Sequence, residues 1–375
     1  MRIAMRRFVA TVMGVGALVP MLSASAQVRI AETVYVMSNN ADRNEVIAFQ
    51  RDANGAYEKS QFDTLGRGTG GVNDPLESQG SLTLSTDHSL LFAANAGSGD
   101  ITVFRVHHNA LVIAEKVPSG GSQPVSIAQR GNSVYVLNSG GAGSVVGFSL
   151  NQNGHLHRIA KATAFLSANA TGGASISISP DGNFVAVVER IANKIDTFRV
   201  NPDGTLAAPT VTPSPGAGAF SAQFAPDGKL IVSETGPANV TDGSAISSYA
   251  VLPNGSLAVV SQSVATDGAA NCWNAISPDG NRVYASNAGT STIAGFAIGK
   301  GGELNPLNGT IVGSNPEGST NLDIAISGDG KFLFSLNGEV GTIGVFAIQS
   351  DGTLQELPEI EGLPQAVGFN GIAAL

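Results

Sequence analysis

The amino-acid sequence holds one cysteine, Cys272, in 375 residues, which leaves no intramolecular disulfide and no cysteine-built metal centre. Charge is almost as scarce. Asp, Glu, Lys and Arg make up 13% of the chain, about half the share in an average globular domain. Acids outnumber bases, 29 to 20, for a net charge of −9. A nucleic-acid partner is held through a basic surface, so that sign argues against one. Aromatic residues are only 6%, with a single tryptophan, Trp273. Long helices are not expected, because glycine fills 47 positions and costs about 1 kcal/mol in a helix interior. The hydrophobic share of 42% is too high for disorder. An all-β chain with many tight turns is what remains.

The amino terminus reads as an export signal. Arg2, Arg6 and Arg7 precede the uncharged run Phe8–Leu22, and Ala24-Ser25-Ala26 fits a small-residue cleavage site. The run is short of the roughly 20 residues that span a bilayer, so residues 1–26 are expected to be cleaved and no stable membrane insertion is expected. Residues 27–375 then form a single domain with a net charge of −12 once the three arginines are gone. The expected location is periplasmic or secreted.

What the sequence has in abundance is repetition. One element is an apolar strand, a turn and a second strand, as in ISISPDGNFVAVVER at Ile176–Arg190, AISPDGNRVYASN at Ala275–Asn287 and AISGDGKFLFSLN at Ala325–Asn337. A second alternates apolar and polar residues before another turn, as in IDTFRVNPDGTL at Ile195–Leu206 and IGVFAIQSDGTL at Ile343–Leu354, and it occurs seven times at a spacing of about 50 residues. Period-2 alternation marks half-buried strands, and Asn-Gly and Asp-Gly supply the positive φ of hairpin turns. Seven units of four short strands predict a seven-bladed β-propeller, an architecture that hides sheet edges by radial closure. The chain opens on a second-strand sequence, Thr33–Met37, and ends on a lone first-strand sequence within Ala366–Leu375. The last strand is therefore expected to complete the first blade.

Labelling the strands A to D from the axis outward puts the Pro-Asp-Gly turns on one face and the B-strand ends on the other. The B strands end in Asn39, Asn95, Asn138, Glu189, Asn287 and Asn337, with Glu234 or Thr235 in blade five. Asn suits a loop cap, but Glu189-Arg190 and Glu234 break the pattern. Two carboxylates from adjacent blades at a channel mouth would serve as acid and base, with Arg190 holding one ionised. Trp273, Asn274, Asn321 and Asp323, at the A-strand starts of blades six and seven, are the candidate substrate-binding residues. The loops Asp63–Gly80 and Thr235–Gly243 are candidate lids. His107, His108, His155 and His157 gather at the opposite rim, where solvated turn residues are expected and no metal is assigned. Gly66–Gly71 matches G-x-G-x-x-G but no helix follows, so no dinucleotide or other cofactor is expected.

With the ISPDG…VxN…ItvFxvnpdGtL units in view, the chain resembles the seven-bladed lactonase family, which includes bacterial 6-phosphogluconolactonase and the fungal carboxymuconate-lactonizing enzymes. It is similar also, at Val134–Leu150, to YVTN-type surface propellers. The resemblance implies a lactone or related cyclic acid as a small-molecule substrate; a monomeric protein is expected. It also implies a catalytic His and Arg at positions that here read Ala174 and Phe220, while Ser233-Glu234 resembles the family's Asn-Glu. Lactone hydrolysis with Glu234 or Glu189 as base, and Arg190 and Asn274 on the carbonyl, is one expectation. A non-catalytic propeller that binds a partner or small ligand is the other.

Overall fold

The computed structural model describes residues 33–107, 110–238 and 240–375; the expected signal peptide and His108 lie outside the described residues. Within them, twenty-eight strands form seven antiparallel sheets of four. The expected propeller is the observed fold, and each repeat is one blade. The innermost strands, Ile372–Ala374, Leu82–Leu84, Pro124–Arg130, Gly173–Ile178, Ala219–Phe224, Asn271–Ile276 and Asn321–Ile326, touch their neighbours in sequence around a closed ring.

One repeating feature of the sequence builds every blade, and a second recurs in four of the seven. The C strand carries one large aromatic, Phe49, Phe104, Phe148, Phe198, Tyr249, Phe296 or Phe346, each at most 2% exposed. These rings fill the space between successive sheets, and that burial is the main driving force. The A–B turn carries Ser and Asp two residues apart: Ser85, Ser179, Ser277 and Ser327 donate to Asp87, Asp181, Asp279 and Asp329. The serine bonds to the first three hold their carboxyls below the usual range, Asp87 at about 2. These aspartates are turn formers.

The ends of the domain pair as the sequence implies. Ile372–Ala374 lies antiparallel to Thr33–Met37, with Val34 opposite Ala374 and Val36 opposite Ile372. Met37 N donates to Gly371 O at 3.1 Å and Leu375 N to Thr33 O at 3.0 Å. The A–B and C–D turns occupy one face of the ring. The B–C turns and the D-to-A connections occupy the other, which we call the mouth face.

Candidate functional site

Several of the seven B-strand ends share one structural job. Asn39, Asn95, Asn138, Glu189, Glu234, Asn287 and Asn337 are all fully buried, and several latch the chain arriving from the preceding blade. Asn95 Oδ1 accepts from Thr64 Oγ1 at 2.7 Å, and Asn287 Nδ2 donates to Thr266 O at 3.2 Å. Glu189 Oε1 accepts from Ser167 N at 2.7 Å. Glu234 Oε1 accepts from Ser214 Oγ at 2.9 Å, Gly216 N at 3.1 Å and Ser247 Oγ at 2.8 Å. Glutamate stands in for asparagine where the partners are all donors, because a carboxylate only accepts. Glu189 and Glu234 occupy separate junctions and share no hydrogen-bond partner. The carboxyl beside Glu189 is Asp196, pushed up to about 7 by burial and then by Glu189's charge.

The loop after blade one reaches the axis and plugs it. Ser78 Oγ donates to Val125 O of blade three at 2.9 Å, and Gln79 N to Ala174 O of blade four at 3.1 Å. Gln79 Nε2 donates to Asn274 O of blade six at 2.9 Å and to Asp323 Oδ1 of blade seven at 3.0 Å. Trp273 Nε1 donates to Ser78 O at 2.9 Å. Segment Leu76–Gln79 is thus bonded to four blades. The expected lid Asp63–Gly80 is in this structure a seated plug. The other, Thr235–Gly243, folds back on its own blade through Ser244 Oγ to Thr235 O, 2.7 Å.

Three of the four A-strand candidates meet at this plug. Trp273 is 1% exposed and packs edge-on against Phe220, centroids 5.3 Å apart. Asn274 Nδ2 donates to Ser221 Oγ and Ser233 Oγ, both at 2.9 Å. Asp323 sits on a β-bulge at φ +20°, with Oδ2 accepting from Ile372 N at 3.2 Å. Burial pushes its carboxyl up to about 7. Asn321, fully buried, instead donates to Thr292 O of blade six at 3.1 Å, away from the plug.

Above the plug lies a group in which the sequence singled out Arg190 but neither Asp74 nor Glu77. Arg190 forms an ion pair with Glu77 of the plug, not with either B-strand glutamate. Asp74, half-buried in the same loop, accepts from Asn370 Nδ2 at 2.8 Å. Burial pushes Asp74 up to about 8 against the pull of Asn370, Ser78 and Arg190. Cys272 is buried beside them, and burial raises its thiol well above the usual value, which keeps it protonated and inert as a nucleophile. The site therefore offers a carboxyl raised to about 8 within the field of a guanidinium, on the mouth face and in reach of solvent. The only sequence cue was Asp74-Pro75 closing a glycine-rich run.

The remaining motifs are structural. Gly66 and Gly68 lie where a Cβ would strike Asn95 and Asn39, so the G-x-G-x-x-G match reflects close backbone approach to two latches. His155 pairs with Glu115 at 3.6 Å and His157 with Asn151 at 3.4 Å. Among the described residues no three His, Cys, Asp or Glu side chains are grouped to hold a metal, and no helix is long and apolar enough to cross a membrane.

A family model described as lactonase, seven-bladed β-propeller, matches residues 129–239 and 235–363. No curated protein matches the sequence. Among solved structures, the periplasmic gluconolactonase of Pseudomonas aeruginosa superposes with a TM-score of 0.64 at 20% identity, over 90% of this chain and 99% of that one. A candidate 6-phosphogluconolactonase from Bacteroides uniformis gives 0.65 at 18%, over 92% and 99%. A Lactobacillus plantarum protein gives 0.69 at 16%, over 92% and 99%.

Proposed function

The chain belongs to the lactonase family of seven-bladed β-propellers, and from that membership we propose that it is an exported lactone hydrolase working on the mouth face above the plug. The observation that carries the reading is Asp74, a half-buried carboxyl raised to about 8 by burial, within the field of Arg190. A general base works best when its pKa lies near the ambient pH.

In the proposed reaction, Asp74 carboxylate takes a proton from a water whose oxygen adds to the lactone carbonyl carbon. The oxygen of that carbonyl becomes an oxyanion beside Arg190. Collapse breaks the bond from carbonyl carbon to ring oxygen, and the ring oxygen leaves with the proton from Asp74. A preorganised cation at the oxyanion is worth several kcal/mol to such a step. Glu189, Glu234, Asn274 and Asp323 hold the blades and the plug that set these two groups. Glu77 and Asp74 offset Arg190's charge, which favours an uncharged lactone over a phosphorylated one. The arginine-led amino terminus supports a periplasmic location.

A hydrolysis panel of γ- and δ-lactones tests the reading. We expect Asp74→Asn and Arg190→Met to lower kcat/KM at least a hundredfold with the fold intact. The second reading, a propeller that binds a small molecule without turning it over, is favoured by Ala174 and Phe220 at the positions of the family's polar pair. It stands if no lactone in the panel is opened above background.

A further inference from the structure

Beneath the plug, the axial channel opens on the turn face as a cavity of about 550 Å³. It shares no lining residue with the mouth group and is closed at its inner end by Gln79 and Asp323. That volume is typical of small-molecule sites. His88 stands at the open end against Gly328. Thr83, Gln223 and Ser327 add polar atoms to the wall, while Ala325, Ile326 and Ala373 make it apolar.

Asp323 is the sole acid of this lining, and no Lys or Arg joins it. The carboxylate is 3% exposed. Its hydrogen-bond donors are Gln79 Nε2 and the N–H groups of Ile324 and Ile372, all uncharged. A buried carboxylate without a cationic partner is costly, and an incoming cation would relieve that cost. A metal ion would need several hard ligands, and Asp323 is one acid alone. An organic cation needs a single carboxylate for its head and an apolar wall for its body.

We propose that the axial channel is a second binding site, for a short-chain primary ammonium whose head meets Asp323 and whose methylenes lie along Ala325, Ile326 and Ala373. It is independent of lactone hydrolysis at the mouth.

Isothermal titration of the purified protein at pH 8.5 with n-butylammonium chloride tests this, with sodium butyrate and sodium chloride as controls. We expect saturable binding of butylammonium alone, weakened at least tenfold by Asp323→Asn and by Ala325→Trp, which fills the channel and keeps the acid. Asp74→Asn should leave it within threefold, so the proposal stands or falls apart from the catalytic reading. Should Asp323→Asn fail to fold, Ala325→Trp decides. No saturable binding in the native protein, equal binding of butyrate, or undiminished binding in Ala325→Trp overturns the proposal.

Discussion

Gln79 Nε2 donates to Asp323 Oδ1 at 3.0 Å across 244 residues of sequence, and this bond ties the plug to the blade that precedes the ring's closure. The same nitrogen serves Asn274 O at 2.9 Å. One amide thus satisfies a carboxylate and a buried carbonyl on two blades.

Gln79→Leu would take that donor from Asn274 O and leave Asp323 Oδ1 only Ile324 N, at about 1–3 kcal/mol for a buried acceptor so deprived. The expected loss of stability in urea denaturation is of that size. A loss below a few tenths would mean that the plug is not fastened there.

Asp323 also gives the fold a pH dependence of unusual sign. Its carboxyl ionises at about 7 in the fold against an ordinary 3.8. Between those values the native state holds a proton that the unfolded chain has released, so stability falls as pH rises from about 4 to about 7. Asp74, at about 8, and Asp196, at about 7, act in the same direction. Melting temperatures across this window should fall less steeply in Asp323→Asn than in the native protein. An unchanged slope would remove Asp323 from the account.

The architecture was legible because it is written locally. The ISPDG turns, the C-strand aromatics such as Phe296 and Phe346, and the second-strand sequence Thr33–Met37 with no first strand before it each recur or fail to recur at a fixed spacing, and hairpin pairing follows from that spacing. The latch position was legible as a pattern, but its chemistry was not. Glu189 and Glu234 looked like a catalytic pair because sequence gives no view of Ser167 and Ser214, the donors they accept from. The plug was hidden for a similar reason. Leu76–Gln79 has no periodicity, and its bonds to Asn274 and Asp323 reach across 195 and 244 residues. Asp74 gains its raised pKa from that same non-local burial.

Glu189→Gln separates a latch from a base. The amide oxygen can still accept from Ser167, and the like-charge contact with Asp196 is relieved. Stability at pH 8 is expected to stay within about 1 kcal/mol of the native value, and turnover of any lactone the protein opens should persist. Near-complete loss of turnover with unchanged melting would return Glu189 to the chemistry.

Removing residues 367–375 takes away the innermost strand of blade one and leaves the ring open. Val34, Tyr35 and Val36 lose their strand partners, and Met37 N, Thr33 O and Met37 O lose theirs in Gly371, Leu375 and Asn370. Hydrogen bonds contribute about 1 kcal/mol each, net, and the buried side chains of Phe369 and Ile372 roughly 1.5–3 kcal/mol each. The sum reaches the 5–15 kcal/mol by which most domains are stable at all. The deletion also strips Asn370 from Asp74 and Ser81 and Ile372 N from Asp323, so the loop that leads into the plug loses one tie together with the blade. Circular dichroism should find the truncated chain unfolded or melting at least 10 °C lower, a shift far larger than an unstructured tail would give. A truncated protein that melts with the native one would mean that the ring does not depend on its closing strand.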